Sequence, residues 1–466
     1  MAFAGAFMVP HPPIILKEIG GSDIEKAEKT VSAYTKVAKE IAEIKPETII
    51  ITSPHSVMYA DYFHISPGNG AKGNMGQFGR PEISFDVEYD AEFTDTLSKI
   101  AKKADFPAGT LGEKKSELDH GTMVPLYFIN KEYSDYKLIR IGLSGLSLKD
   151  HYRFGQMIKE TVEKLNRKVV FVASGDLSHK LLAEGPYGFV PEGPEYDKRI
   201  MEVMGSADFG KLLEFNEHFL DKAAECGHRS FCIMAGAFDG MKVEGTELSH
   251  EGPFGVGYGI CSFRIADSVD PDPSREFLKI AEINRQKKLE EIRSKEDAFI
   301  SLARSTVETY TKTGITPKLP SNLPDKMMKK RAGVFVSIHK EGQLRGCIGT
   351  ISPVYDCIGE EIIENAVAAS SRDPRFSPIR PDELDYLDIS VDVLSEAEDI
   401  SSKDELDVKR YGVIVSKDGR RGLLLPNLEG VDTVDEQVSI ALQKAGLSPY
   451  AKDYKLQRFE VVRHEV

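Results

Sequence analysis

Short apolar runs alternate with amphipathic stretches along the first 265 residues. The apolar runs at 3–9 and 47–53 are too short to span a membrane and are typical of buried strands. Between them, apolar residues recur at helical spacing over 22–44, which predicts a crossover helix and a βαβ unit. Further helices are predicted at 91–104, 148–165 and 223–238, and further strands at 137–143 and 168–173. The glycine-rich run at 251–263 predicts a loop and a closing strand. This alternation predicts an α/β fold with a mixed sheet and helices on both faces.

Glycine and proline interrupt the pattern at two places. Residues 69–81 are rich in glycine and predict a surface loop, in a position where a lid would sit. The acidic, proline-broken residues after Ile265 predict a linker over 266–280. We therefore expect two domains, at 1–265 and 281–466.

The second half has a different pattern. A charged helix is predicted over 275–311, and a tight glycine-punctuated turn over 342–350. Strands are predicted at 334–339, 388–394, 412–416, 422–425 and 455–462, and helices at 357–371 and 434–445.

Composition narrows the function classes. A formal net charge of -14, without a basic stripe, argues against nucleic acid or an anionic membrane as a partner. The start of the chain lacks the positive flank of a signal peptide, and five cysteines without a CxxC pair argue against a disulfide framework or a structural zinc site. We expect a cytoplasmic protein.

Two histidines follow prolines at predicted strand ends. His11 stands in Pro-His-Pro-Pro after the first strand, and His55 in Ser-Pro-His after the second. Ligand crevices of open α/β sheets lie outside the carboxyl ends of the strands, so the two side chains can converge. The alternative is that each histidine only caps its strand.

Further polar residues follow the later elements and could complete a site: His120, Asp176, His179, Glu225 and Cys226. His11, His55 and either Glu225 or Cys226 would form a facial triad of the kind that holds non-haem Fe(II). Adjacent helical residues point about 100° apart, so only one of that last pair would face the metal. His179, held by Asp176, would suit proton transfer.

These motifs occur in an order that resembles the LigB-like class III extradiol dioxygenases and their Memo relatives, over about residues 1–265. The resemblance implies His11, His55 and a late carboxylate as Fe(II) ligands, His179 as the base, and His120 beside the substrate. In Memo-type proteins a cysteine replaces the carboxylate, and Cys226-Gly-His-Arg is similar to that pattern. A thiolate would also suit copper(I), and zinc is another alternative among first-row metals.

Residues from about 280 to 466 resemble the AMMECR-type domain, an α+β domain, through Leu344-Arg-Gly-Cys-Ile-Gly, Arg372-Asp-Pro-Arg-Phe and the turn at 422–426. The fusion is similar to protein A of the AmmeMemoRadiSam gene systems, which implies a radical SAM protein as partner. Arg345, Arg372, Asp373 and Arg375 could form a polar patch around a reactive thiol of Cys347. We favour a structural interpretation over a catalytic one: Gly346 and Gly349 allow a tight turn, and Cys347 is a small core residue.

Two functions follow from these observations. The first is a non-haem iron oxidoreductase that cleaves a catechol-like or other small aromatic substrate with oxygen. The alternative is a non-catalytic, Memo-like metal-binding adaptor or regulator that works with a radical SAM partner.

Overall fold

A computed structural model describes residues 3–114, 117–265, 272–340, 342–428 and 430–466. The chain divides into two compact units between Asn284 and Arg285, here called the N-terminal and C-terminal units. Residues 266–271 of the predicted linker lie outside the described residues, and the domain boundaries at 265 and 281 remain a prediction. No described helix is long and apolar enough to cross a membrane.

The strands described in the N-terminal unit build one large sheet and two small ones. Their bounds are β1 Phe3–Val9, β2 Thr48–Ser53, β3 Phe63–His64, β4 Gly70–Met75, β5 Arg80–Glu88, β6 Ala108–Gly109, β7 Lys137–Gly142, β8 Val169–Ser174, β9 Val243–Glu251 and β10 Tyr258–Ile265. The large sheet has the order β7-β2-β8-β1-β10-β9. Its first four strands are parallel, and β10 and β9 are antiparallel to their neighbours.

Both faces of this sheet are covered, as the apolar strand pattern predicts. Phe7 and Ile51 point into one core, and Met8 and Ile50 point into the other. The helices are α1 Lys17–Gly20, α2 Glu28–Ile44, α3 Ala91–Lys103, α4 His120–Ile129, α5 Leu148–Leu165, α6 Glu192–Ser206, α7 Glu217–Ala223 and α8 His228–Ala237. The predicted α/β mixed sheet with helices on both faces is confirmed.

Two predictions within this unit were wrong. Residues 69–81 are not a loop but belong to the β4–β5 hairpin, in which Ala71 and Phe85 face the core and the glycines obscure the alternation. The predicted helix at 223–238 begins only at His228, because Ala224 adopts a left-handed conformation with a φ of 53° and ends α7. Glu225 and Cys226 therefore lie in a loop, where the 100° helical argument does not apply.

The C-terminal unit is built on an antiparallel sheet with the order β12-β11-β13-β17-β15-β16, and β14 pairs with β17. Its strands are β11 Val334–Lys340, β12 Gln343–Gly349, β13 Leu387–Leu394, β14 Glu398–Ile400, β15 Tyr411–Lys417, β16 Arg420–Leu424 and β17 Lys455–His464. The later helices of the chain are α9 Phe277–Lys295, α10 Ala298–Thr313, α11 Asp325–Lys329, α12 Ile358–Ser371 and α13 Val434–Lys444. This is the predicted α+β arrangement.

Two elements differ from the prediction here. The single charged helix at 275–311 is two helices, α9 and α10, because the Asp297 carboxylate accepts hydrogen bonds from the N–H groups of Phe299 and Ile300 and starts a new helix. The predicted turn at 342–350 is mostly strand β12, which pairs with β11 around a β-bulge.

We predict that Gly155→Ala destabilises the N-terminal unit. A Cβ atom at Gly155 in α5 would lie 2.0 Å from the carbonyl oxygen of Ile233 in α8, so the two helices would have to separate. We expect a loss of about 1–3 kcal/mol in the free energy of unfolding, measured by denaturant titration.

The matched control is Gly205→Ala in α6, where an added Cβ would meet nothing closer than 3.7 Å. The higher helix propensity of alanine should leave that variant unchanged or more stable by up to about 1 kcal/mol. Equal stability of the two variants would contradict the close α5–α8 contact.

Candidate metal centre

The carboxyl ends of three neighbouring strands place the polar residues together. In the sheet, β8 lies between β1 and β2, with Val9 opposite Ser174 and Thr52 opposite Ala173. All three strands run parallel, so the residues that follow them emerge at one edge of the sheet. His11 follows β1, His55 follows β2 and Asp176 follows β8.

Three potential ligand atoms converge at this edge. The Nε2 atoms of His11 and His55 are 3.0 Å apart, and the Sγ atom of Cys226 is 3.6 Å from Nε2 of His11. All three atoms lie within 4.8 Å of one another, so one metal ion could contact all of them. A second overlapping group, Asp176, His179 and Cys226, meets the same criterion.

The surroundings of His11 direct its Nε2 lone pair into the cluster. The Ser174 hydroxyl donates to the carbonyl oxygen of Gly121 at 2.6 Å, so it accepts a hydrogen bond from Nδ1 of His11 at 2.9 Å. The proton of the neutral ring is then on Nδ1. A hydrogen bond to the remote nitrogen is the usual way of orienting a histidine ligand.

Burial keeps both imidazoles neutral. It lowers the pKa of His11 to about 3, assisted by the nearby His120 ring, and lowers the pKa of His55 to about 4. Neutral imidazole is the form that binds metals. The donor set therefore fits a first-row transition metal.

Cys226, and not Glu225, faces the cluster. The Glu225 carboxylate accepts a hydrogen bond from the backbone N–H of His228 at 2.6 Å and caps α8, and burial raises its pKa to about 7. The Sγ atom of Cys226 accepts from the backbone N–H of Asp176 at 3.3 Å. Burial, with the Asp176 charge, raises the pKa of the Cys226 thiol well above its usual range, so a thiolate here calls for a neighbouring cation such as a metal.

Asp176 and His179 lie beside the cluster. The Asp176 carboxylate accepts from the backbone N–H of His11 at 2.8 Å, and its Oδ2 atom is 4.0 Å from Nε2 of His179. Nδ1 of His179 contacts the carbonyl oxygen of Ala224, so it carries the proton. Nε2 of His179 is therefore the atom free to accept a proton.

The His120 ring lies beside the two histidine ligands. His120 is the first residue of α4, and the preceding Asp119 caps that helix by accepting from the N–H of Thr122 at 3.0 Å. The His120 ring lies 4.0 Å from the His55 ring and 5.6 Å from the ring of Phe78, measured between centroids. The structure thus brings every predicted site residue to one place except Glu225, which lies next to it.

A cleft of about 670 Å³ opens onto these groups. Its lining comprises His11, Pro12, Pro13, Ile14, His55, His120, Asp176, His179, Leu182, Glu184, Gly185, Pro186, Tyr187, Pro253, Phe254, Val256 and Tyr258. The site residues predicted from the sequence did not include Ser174 or the aromatic residues of the cleft, which are Tyr187, Phe254 and Tyr258. The glycine-rich run at 251–263 was noted in the sequence, but nothing local indicated that it would border the site.

Comparison with known proteins agrees with this geometry. A family model described as the catalytic LigB subunit of aromatic ring-opening dioxygenase matches residues 5–261. The chain belongs to the LigB family. LigB proteins are usually dioxygenases that use a metal, which supports an enzymatic function and a metal site.

One relative is similar over both units, and another is similar over about a third of the chain. Protein CA_C1420 of Clostridium acetobutylicum is 40% identical and covers 100% of both chains. The AMMECR1 family model matches residues 300–464, as predicted, and a protein of Thermotoga maritima is 46% identical over 36% of this chain and 98% of its own.

Two solved structures also match. Uncharacterized protein PH0010 from Pyrococcus horikoshii is 33% identical, with a TM-score of 0.34, over 35% of this chain and 88% of that chain. Uncharacterized protein JW3007 from Escherichia coli K12 is 14% identical, with a TM-score of 0.38, over 56% of this chain and 99% of that chain.

In the AMMECR1 unit, the arginines near Cys347 are engaged in structural contacts. Arg345 donates to both carboxylate oxygens of Glu383, at 3.1 and 3.0 Å. At the sheet edge, Asp373 accepts from the backbone N–H of Cys347 at 2.9 Å, and Arg375 donates to the carbonyl oxygen of Cys347 at 3.1 Å. These two side chains occupy the backbone groups with which another strand would pair.

We predict that Cys226→Ser and Glu225→Gln have different effects on metal binding. Loss of a thiolate ligand should weaken the binding of Co(II) by at least about 10- to 100-fold, and should abolish the thiolate-to-cobalt absorption. Glu225→Gln should change the affinity less than about threefold, because the amide oxygen can still accept from the N–H of His228.

Titration of the two variants with Co(II) under anaerobic conditions measures both effects. If Glu225→Gln weakens Co(II) binding more than Cys226→Ser does, the third ligand is the Glu225 carboxylate and not the Cys226 thiolate.

We also predict that Asp373→Asn destabilises the AMMECR1 unit. The hydrogen bond from Arg375 holds the pKa of Asp373 well below its usual range, despite burial. Replacing the carboxylate should cost about 1–3 kcal/mol near neutral pH, measured by denaturant titration. The stability due to this carboxylate is present above the unfolded pKa of about 4, and is lost as the pH falls through the lower folded pKa.

The control is Asp388→Asn, an exposed carboxylate in β13 of the same unit. It should change the stability by less than about 0.5 kcal/mol. A difference between the Asp373 variant and wild type that grows with increasing acidity would contradict this assignment.

Proposed function

We propose that the N-terminal unit is a mononuclear non-haem Fe(II) oxidoreductase that opens the ring of a catechol-like or other small aromatic substrate. The observation that carries this proposal is the convergence of His11, His55 and Cys226 next to a cleft that His179 also lines. Three protein donors on one side of an ion leave the other side for substrate.

Fe(II) is the metal of this proposal because the LigB family and the proposed use of oxygen support it, whereas the donor set alone does not select it. Two imidazoles and a thiol accept iron, copper or zinc, and only a redox-active ion can activate oxygen. Fe(II), bound by His11, His55 and Cys226, would supply the open positions for the two substrate oxygens and the redox chemistry of O₂.

His179 is the residue suited to deprotonate a phenolic hydroxyl. Its Nε2 atom carries the lone pair, while the Ala224 carbonyl holds the proton on Nδ1. After proton uptake, the imidazolium would be stabilised by that carbonyl and by the Asp176 carboxylate, whose Oδ2 atom is 4.0 Å away.

The walls of the cleft suit a planar ring. Pro12, Phe254 and Tyr258 offer apolar faces, and His120 lies beside the two histidine ligands, where its ring could donate a hydrogen bond to O₂ or the substrate. In the overall reaction one ring C–C bond next to a hydroxyl-bearing carbon breaks, and both atoms of O₂ enter the product.

One observation favours a second function. A thiol occupies the place of the expected carboxylate, and soft thiolate donors favour copper(I) or zinc over Fe(II). In this second proposal the unit is a non-catalytic, Memo-like metal-binding adaptor or regulator whose partner is a radical SAM protein. It predicts tight metal binding without oxygen consumption.

We predict that the protein, purified anaerobically and loaded with Fe(II), consumes one O₂ per catechol or 3,4-dihydroxybenzoate cleaved. His179→Gln should lower kcat by about 10²- to 10⁴-fold and leave the Fe(II) content unchanged, because glutamine cannot take the phenolic proton. An oxygen electrode and the absorbance of the ring-opened product measure the rate.

His218→Gln, an exposed histidine of α7, is the matched control and should retain full activity. Stoichiometric metal binding without oxygen consumption on either substrate would reject the dioxygenase function in favour of the adaptor.

A further inference from the structure

Hydrogen bonds from neighbouring segments hold the loop from Asp176 to His179. Its backbone makes two hydrogen bonds with Gly257. The N–H of Leu177 donates to the carbonyl oxygen of Gly257 at 2.9 Å, and the N–H of Gly257 donates to the carbonyl oxygen of Ser178 at 2.8 Å. The Ser178 hydroxyl donates to the carbonyl oxygen of Ala223 at 2.8 Å. The N–H of Ser178, directly before His179, needs a separate acceptor.

That acceptor is the carboxylate of Asp197, which reaches the loop from α6. Its Oδ1 atom accepts from the N–H of Ser178 at 2.8 Å, and its Oδ2 atom lies 3.2 Å from Nε2 of His250 in β9. The Asp197 side chain is 3% exposed, so its carboxyl group is buried and depends on its two hydrogen-bond partners.

The packing around Asp197 fixes its position. A Cβ atom at Gly257 would lie 2.0 Å from Oδ2 of Asp197, so only glycine leaves room for the carboxylate there. Burial raises the pKa of Asp197, and the hydrogen bond with Asp197 raises the pKa of His250. The two side chains stabilise each other as a charged or proton-sharing pair.

We infer that Asp197, supported by His250, is a positioning residue for His179. This inference rests on the proposed function, in which His179 takes the phenolic proton. Ser178 directly precedes His179, so a hydrogen bond to the N–H of Ser178 helps to fix the backbone at His179. The contact between Nδ1 of His179 and the carbonyl oxygen of Ala224 requires the backbone at His179 to stay in place. If Asp197 is removed, the ring can rotate away from Ala224 and its proton is no longer confined to Nδ1.

The deciding experiment reads the tautomer of His179 by NMR of the full chain labelled with ¹⁵N-histidine, before any metal or substrate is added. His179→Gln assigns the signal. We expect the Nδ1–H tautomer in wild type, a mixture of both tautomers in Asp197→Ala, and recovery of the wild-type signal in Asp197→Asn, whose amide oxygen can still accept from Ser178.

Asp90→Asn is the matched control. Asp90 is also a buried carboxylate of the N-terminal unit, but it contacts Thr48 and Phe93 at the opposite end of β2. The inference is overturned if a folded Asp197→Ala protein keeps the wild-type His179 signal, or if Asp90→Asn changes that signal to the same extent.

His250→Ala keeps the test decisive if Asp197→Ala does not fold, because the His250 side chain is 33% exposed and its loss leaves the core intact. It should give part of the same tautomer change. An unaltered His179 signal in that variant would overturn the role of the pair.

A second measurement connects the pair to the reaction. In the Fe(II)-loaded protein with catechol, Asp197→Ala should lower kcat by about 10- to 100-fold with KM changed less than threefold, and Asp197→Asn should restore most of kcat. If wild type does not cleave catechol, the proposed function fails, while the tautomer measurement still decides whether Asp197 positions His179.

Discussion

The parallel register of β1, β8 and β2 is the constraint on which the site depends. Strands that run parallel and adjacent present their carboxyl ends at one edge, so side chains two or three residues beyond each strand meet without a long loop. His11 and Asp176 are each two residues past a paired position, at Val9 and Ser174. A slip of one residue in β8 would move Asp176 away and turn the strand's apolar residues to the opposite faces.

Burial determines the chemical state of the groups that this register collects. The cluster combines two neutral imidazoles, a protonated thiol and a carboxylate whose pKa is raised by burial, at an edge that is only partly open to water. The thiol and the carboxyl group bind a metal after losing a proton, and an imidazole binds through the lone pair of its neutral form. A cation in the centre would offset the cost of burying the thiolate, so the geometry and the electrostatics both favour an ion there.

Much of this architecture could be predicted from sequence because the signals are local. Apolar runs followed by Pro-His gave the strand ends, and the helical spacing at 148–165 gave α5 with its observed bounds. The errors arose where tertiary contacts override local pattern. Glycines hid the β4–β5 hairpin. The sequence left Glu225 and Cys226 as alternatives, because their positions depend on the loop that follows Ala224. The role of Ser174 depends on Gly121, a residue 53 positions away, so no local pattern indicates it.

The two units show why a polar motif alone does not define a site. Pro-His-Pro-Pro and Arg-Gly-Cys are both polar interruptions of strand patterns, but their hydrogen bonds are used differently. Around Cys347, Asp373 and Arg375 satisfy the backbone of an edge strand, and Arg345 is paired with Glu383. At His11, Ser174 engages only the remote nitrogen and leaves Nε2 directed at two other ligand atoms. Donor atoms left available by their own neighbours, and converging on one point, distinguish a reactive site from a structural one.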